Sequence, residues 1–593
     1  MPTPKRLEKF LAPPLLVLVS AVLWGVAILH ARHTAMGPYG LISQMNWAFY
    51  LTLTVLGVAA ARELTRTPLR SRALLLITVA LVVVLFGTSP ATTQVAALTD
   101  SYVHTGFTSY IIQHGAVLEN FDARFSWPGA FALGGFVAQA AGVSTTLSFL
   151  KWFPLVIELA YLAPLWAIGR ASGLSRRTAY LGTLLFYTGN WIYQDYFSPQ
   201  ALNFLFYLTL IALVLSMYRP LRATVLPRWR RALHTWRLQR ILGLDTISTM
   251  RPRGEVALLA MAGVLVSASA VSHQLTPYAM VLSLIALLGA RRLGRPELIV
   301  FTGAVTLVWL SLGAYNFWVG HLSLIFGSLG SVGSTLGSNV NSRVFGASSH
   351  LLVVKWRIYA TALMFLLAGI GVLRRATDDR SLELLAGAPF ALLLAQSYGG
   401  EGLLRATLFS LPFTSLLAAS AILPRRHGTV APWIPWRPSQ RSRFARPLLS
   451  VTIGVLVVAT GILLTFVRGG NDYYETYTSG EFQAVRYLDA HVPTGGLVGT
   501  FSAYVPLGAT GLTTYRVYIA VLYLDTSVAT DLTLLERQHP NYLLLSQSEE
   551  HWGEVVMGYP TGWEATAEQV LLHHHYRVVY HNATATVLRR VTP

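Results

Sequence analysis

The sequence predicts an all-α polytopic membrane protein, N-terminus inside and C-terminus outside, ending in a small exported α/β domain. Three observations predict it. Of 593 residues, 53% are hydrophobic and only 12% charged, about half the charge of an ordinary soluble chain. Apolar stretches able to cross a bilayer recur over residues 1-467. Residues 468-593 instead carry short apolar runs broken by Gly, Pro and polar residues. This composition excludes a soluble enzyme, a disordered chain and a coiled coil. With no Cys, disulfides, thiolate metal sites and a cysteine nucleophile are excluded as well. A formal charge of +19 is compatible with nucleic-acid binding until the cations are placed along the chain.

In order, the predicted spans are 11-30, 43-61, 73-89, 149-168, 179-192, 200-218, 255-272, 276-291, 298-314, 351-373, 384-398, 403-424 and 447-467, about thirteen in all. The stretch 129-142 is short and Gly-rich, and is read as interfacial or re-entrant. The first span is long and no small-residue cleavage site follows it, so it is predicted to be a retained span rather than a signal peptide. Lys and Arg then orient the chain. Segments 1-10, 62-72, 169-178, 219-254, 292-297, 374-383 and 425-446 hold most of them, with nine Arg in 219-254 alone. The opposite loops hold few, among them Arg32, Arg124, Arg343 and Arg405. The charge excess is therefore an orientation signal with attraction to anionic headgroups, and nucleic acid is not a predicted partner.

In the exported domain (468-593), EFQAVRYLDAHVP (481-493) has helical spacing, with Phe482, Val485 and Leu488 on one face. YLLL (542-545) and YRVVY (576-580) read as strands. Asn582-Ala-Thr584 matches a glycosylation acceptor pattern, too common a tripeptide to weigh heavily. His573-His574-His575 reads as a solvated strand edge, because consecutive strand residues point to opposite faces and make poor joint metal ligands.

The polar residues of the membrane part gather on the outer side. The first large outer loop (90-148) offers Asp100, His104, His114, Asp122 and Arg124. Asp100 and His104 are four apart and share a face if a helix starts there. The turn NWIYQDYFSPQ (190-200) gives Gln194, Asp195, Ser198 and Gln200; SHQLTP (272-277) gives His273 and Gln274; YGGEGLLR (398-405) gives Glu401 and Arg405. Singly, each has an ordinary role open to it. Asp122 and Asp195 can be solvated loop acids, His273 a helix-end cap, and Glu401 with Arg405 a local ion pair. Four short turns that converge on one side point together to a shared polar site. Glu158 stands mid-span, with Lys151 two helical turns before it; this reads as a contact inside the bundle or as Lys151 bringing a cation to the site.

A polar cavity at the outer leaflet suits group transfer from a lipid-linked donor. The leaving phosphate needs a cation, for which Arg405 serves, and the acceptor hydroxyl needs a carboxylate base, for which Asp100 serves. A transporter or flippase of lipid-linked glycans is the alternative, but no internal repeat is present and the polar groups lie on one side only. A non-catalytic envelope assembly partner is the third reading.

The run from Asp100 to Gly115 after a span resembles the first outer loop of GT-C class integral-membrane glycosyltransferases. DYFSPQALNFLFYL (195-208), SHQLTP (272-277) and YGGEGLLRATLFSLP (398-412) are similar to segments of actinobacterial and archaeal members. The resemblance implies a polyprenyl-phosphate-sugar donor, a cell-envelope glycan, lipid or protein acceptor, inversion at the sugar, and a multi-pass cell-membrane location. It implies Asp100 as catalytic base. His104 and Asp122 would orient the acceptor, and Arg405, steered by Glu401 and joined by Lys151, would meet the phosphate. Gln194, Asp195, Ser198, Gln200, His273 and Gln274 would supply further donor or substrate contacts. Many members carry paired acids in this loop, whereas Ser101 follows Asp100 here. No metal or other cofactor is assigned for that reason.

Overall fold

The computed structural model describes residues 12–221, 245–319, 344–374, 379–394, 401–423, 445–520 and 527–591. Three helices come first: α1 (Pro13–Ala31), α2 (Trp47–Thr65) and α3 (Ser71–Thr92). Two short elements follow, α4 (Thr99–His114) and α5 (Gly129–Ala140). The bundle continues with α6 (Phe153–Ala171), α7 (Arg176–Gly189), α8 (Pro199–Met217), α9 (Pro252–Ser272), α10 (Thr276–Gly289) and α11 (Glu297–Leu312). It closes with α12 (Ser348–Leu373), α13 (Ser381–Gly387), α14 (Gly402–Ile422) and α15 (Ala445–Arg468). A two-stranded ribbon, β1 (Tyr218–Pro220) with β2 (Thr246–Ser248), flanks the segment between α8 and α9.

Every predicted span falls on a helix, but their lengths correct the count of thirteen. Nine helices among the described residues are long and apolar enough to cross a membrane. The exceptions are α7 and α10 at 14 residues, α11 at 16, and 381–394, where α13 passes into a 3-10 turn (Ala388–Leu394). At about 1.5 Å per residue, 14 residues reach about 21 Å against a hydrocarbon core of about 30 Å. Periodicity alone does not separate such a buried short helix from a span. Helix α7 is packed within the bundle: a Cβ on Gly182 would lie 3.0 Å from Leu416 Cα of α14. By the same measure α5, with 12 residues, is too short to cross, as its Gly-rich sequence suggested. The orientation signal rests largely on 219-254 and 425-446, and most of those residues, with Arg343 and 395-400, lie outside the described ones.

The C-terminal unit is a five-stranded sheet ordered β4-β3-β5-β7-β6, from β3 (Leu497–Thr500), β4 (Arg516–Ile519), β5 (Tyr542–Ser546), β6 (Tyr576–Asn582) and β7 (Ala585–Arg590). Strand β3 runs parallel to β4 and β5, while β7 is antiparallel to β5 and β6. The wholly apolar YLLL run is the central strand, with every residue buried between two hydrophobic layers. Helix α16 (Ser479–His491) lies on one face, started by a Thr478–Glu481 capping box, and buries Val485 and Leu488 as their spacing predicted.

Two local expectations change. His573 closes a later helix (Trp563–His573), and His574 and His575 form the turn that follows, so the triplet is not a strand edge. Tyr576, one residue on, starts the strand; His574 Nδ1 meets Glu536 at 2.8 Å. Asn582 turns the β6–β7 hairpin: Oδ1 accepts from the amides of Thr584 and Ala585, and Nδ2 donates to Gly480 O at 2.9 Å.

Candidate functional site

Helix α4 carries Asp100 in its first turn, where the helix dipole favours a carboxylate, and His104 one turn later. The pair opens onto a cleft enclosing about 710 Å³, also lined by Arg124, Trp127, Tyr196, Ser198 and Gln200. His273, Gln274 and Arg405 complete the wall. Elements 99–127, 196–200, 272–274 and 405, far apart in sequence, thus meet at one end of the bundle, beside the C-terminal unit. Seven of the predicted site residues line this space: Asp100, His104, Ser198, Gln200, His273, Gln274 and Arg405.

The basic face of the cleft is ordered by carboxylates. Arg124 Nη1 lies 3.3 Å from Asp100 Oδ1, while its Nε and Nη2 each donate to Asp122 at 2.9 Å. Asp122 also accepts from the Arg124 amide, capping the 3-10 turn Ala123–Ser126. Burial works against ionisation of Asp122, but the Arg124 contacts outweigh it and hold the carboxyl below its ordinary range. Asp122 therefore acts through Arg124. Arg405 donates to Glu401 at 2.6 Å and to Gln194 Oε1. Glu401 and Gln194 thus orient the guanidinium from behind, as their spacing in sequence suggested for Glu401.

Both histidines are neutral donor–acceptor groups. His104 Nδ1 meets Phe197 O at 2.8 Å, and its ring stacks on Tyr196 at 5.8 Å. Burial, reinforced by Arg124 and partly offset by Asp100, pulls its pKa down to about 4. His273 Nδ1 accepts from the amides of Leu275 and Thr276 at the start of α10. That leaves Nε2–H as the ring's remaining donor. Burial, then Arg405, lowers its pKa to about 3. The capping role and the place in the cleft are both real. Gln200, the second residue of α8, is 2% exposed, and both polar atoms of its amide are buried without a hydrogen-bond partner. Buried amides are rarely left so. One that faces a cleft is what a ligand hydroxyl would meet.

Two predicted site residues lie elsewhere. Asp195 turns away from the cleft into the bundle, where both its oxygens accept from Arg468 Nη2 at 2.8 Å. The neighbouring Asn190 donates to Glu158 Oε1 at 2.7 Å, so Glu158 belongs to the same buried network. Lys151 lines a separate, narrow cavity with Ser89, Tyr193, Arg468 and Asp472, divided from the cleft by Tyr196, which lines both. Its two-turn register with Glu158 is absent because the helical turn Leu147–Leu150 ends before Lys151, and α6 begins only at Phe153. Arg124, Trp127 and Tyr196 belong to the cleft although the sequence does not single them out as site residues. The scarcity of cations in the outer loops is the signal that marks Arg124; the two aromatic residues carry none. No group of three His, Cys, Asp or Glu placed to hold a metal occurs among the described residues.

No family model matches the chain, and no curated protein matches it. Solved structures with a similar fold are GT-C glycosyltransferases. An oligosaccharyltransferase of Archaeoglobus fulgidus, tethered with an acceptor peptide, is 10% identical; 86% of this chain and 72% of that chain are covered at a TM-score of 0.49. ArnT of Cupriavidus metallidurans bound to undecaprenyl phosphate is 11% identical, with 87% of this chain and 98% of that chain covered at 0.49. The mycobacterial arabinofuranosyltransferase AftD is 12% identical, with 89% of this chain and 42% of that chain covered at 0.39. Similarity at this level carries no argument about chemistry, which rests on the cleft itself.

Proposed function

We propose that the protein is a membrane glycosyltransferase that moves a sugar from a polyprenyl-phosphate donor to a hydroxyl-bearing cell-envelope acceptor at the outer face of the membrane. The observation that carries this reading is one cleft holding an exposed carboxylate (Asp100), a carboxylate-steered guanidinium (Arg405) and the unpartnered amide of Gln200. Those are the three parts that such a transfer needs: a base, a partner for the leaving phosphate and a hydrogen-bonding site for the sugar.

In this reading Arg124 engages Asp100 Oδ1, and the second oxygen takes the acceptor's hydroxyl proton as its oxygen attacks the anomeric carbon. The sugar–phosphate bond breaks, and the electron pair leaves on the lipid phosphate facing Arg405. A single displacement inverts the anomeric centre. Neutral His104 and the His273 Nε2–H supply hydrogen bonds without adding charge. The C-terminal unit and the cleft lie outside the cytoplasm, and the protein is a multi-pass protein of the cell membrane.

The test is reconstitution in liposomes with a panel of radiolabelled polyprenyl-phosphate sugars and delipidated envelope extract as acceptor. Transfer of label with release of polyprenyl phosphate is expected. Movement of intact labelled lipid between leaflets without transfer would instead support a flippase.

A further inference from the structure

The helix that carries Asp100 is held from two sides. Asp100 and His104 face the cleft, while Thr99, Val103 and Gly106 face the C-terminal unit, about 110° away around α4. Four contacts make that second face. Leu98, just before the helix, adopts φ 66, and its amide donates to Glu475 O at 2.9 Å. For a leucine this backbone conformation is strained and persists only where its surroundings impose it. Thr99 Oγ donates to Ala503 O at 2.7 Å and accepts from the Tyr477 hydroxyl at 2.7 Å. Tyr102 packs against Tyr477 and Phe482 with ring centroids 5.8 and 5.7 Å away. At Gly106 a Cβ would lie 2.0 Å from Gly508 O, so the two backbones touch; Gly508 itself sits at φ 97.

Hydrogen bonds to main-chain carbonyls on both partners, a strained helix entry and glycine-to-glycine approach leave no slack for opening. A lid would meet the catalytic helix through a hydrated or polar face, and this contact is dry and close. We propose that the C-terminal unit is a fixed brace on α4 that positions Asp100, with Thr99 and Gly106 as positioning residues, and not a lid that opens in each cycle. The proposal rests on Asp100 being the base, but its first test does not.

That test is amide hydrogen exchange across residues 99–114 in the full chain, in detergent and without substrate. Slow exchange comparable to the long helices is expected, with Thr99→Val raising it about tenfold in the first two turns through easier local opening. Thr99→Ser, which keeps the hydroxyl, should stay within about twofold. Thr99→Val exchanging like wild type, or Thr99→Ser exchanging like Thr99→Val, would overturn the brace.

The second test uses the cysteine-free background. A Cβ at Gly508 lies 3.7 Å from Val103 Cβ, inside the disulfide range of about 3.5–4.5 Å. Val103→Cys with Gly508→Cys should therefore cross-link in the folded protein. Oxidised and reduced forms should transfer from the labelled donors at rates within about threefold of each other, with the reduced form controlling for the substitutions. A tenfold or greater loss on oxidation, reversed by reductant, would mean that the contact must open, and would overturn the brace. In the same assay Thr99→Val should lower kcat at unchanged KM, and Thr99→Ser should restore it. If wild-type protein transfers nothing from any donor, the functional reading fails, and hydrogen exchange still decides the brace.

Discussion

Two aspartate–arginine pairs at the same end of the bundle do opposite jobs. In the cleft, the side chains of Asp100 and Arg124 are 57% and 40% exposed at 3.3 Å. Beneath it, Asp195 and Arg468 are 3% and 9% exposed at 2.8 Å, with the guanidinium also over the Tyr193 ring. The exposed pair is screened and loose, which leaves its carboxylate available to a substrate. The buried pair has no water to replace either partner, so it fixes the turn 190–200 on which the cleft depends. That turn serves both: Gln194 reaches Arg405, and the next residue, Asp195, reaches Arg468. Burial, not residue type, separates the chemical acid from the structural one.

After Asp100, the largest expected effect comes from Arg468→Ala. Leaving Asp195 buried and unpaired should destabilise the fold by about 3–5 kcal/mol, whereas Arg124→Ala should change stability by less than about 1 kcal/mol. Denaturant unfolding in detergent measures both, and similar losses for the two variants would break the comparison. Next comes Arg405→Lys, which keeps the charge but loses the fork held by Glu401 and Gln194. Turnover should fall about 10²-fold with unfolding unchanged; loss of stability in step would make Arg405 another structural pair.

A pH effect follows from His104, whose folded pKa is about 4 against 6.5 for the ordinary imidazole. The unfolded ring takes a proton that the folded one refuses, so stability is full above about pH 7 and declines as pH falls from about 6.5 towards 4. His104→Gln should reduce that acid loss, leaving the part due to His273. Comparing urea midpoints at pH 7 and 5 reads the difference; an unchanged acid loss would show that His104 is not neutral by burial. The smallest effect is Asn582→Asp, which keeps the hairpin's acceptor but loses the donor to Gly480 O, a cost of about 1 kcal/mol.

The helices are legible in the sequence because an uncharged apolar run of about 20 residues is rare outside a bilayer span. The polar cleft is legible because four turns carry polar groups on one side. What escapes the sequence has physical causes. A 14-residue buried helix such as α7 has the same hydropathy as a span cut short, so a count from hydropathy comes out too high. Asp195 groups with Gln194 and Ser198 by position, because a single sequence does not reveal which way a turn residue points; its partner Arg468 lies 273 positions away. Lys151 falls in register with Glu158 only on a continuous helix, and α6 begins two residues after it. Tyr196 and Trp127 look like ordinary apolar residues in an aromatic-rich chain, and only the fold turns them into the cleft wall.

The most direct test of the central claim is Asp100→Asn, assayed for sugar transfer from labelled polyprenyl phosphate beside its thermal unfolding. Removing the base should lower turnover by about 10²–10⁴-fold. An exposed carboxylate with one screened partner should leave the unfolding temperature within about a degree. Transfer at the wild-type rate by a folded Asp100→Asn protein would contradict the account.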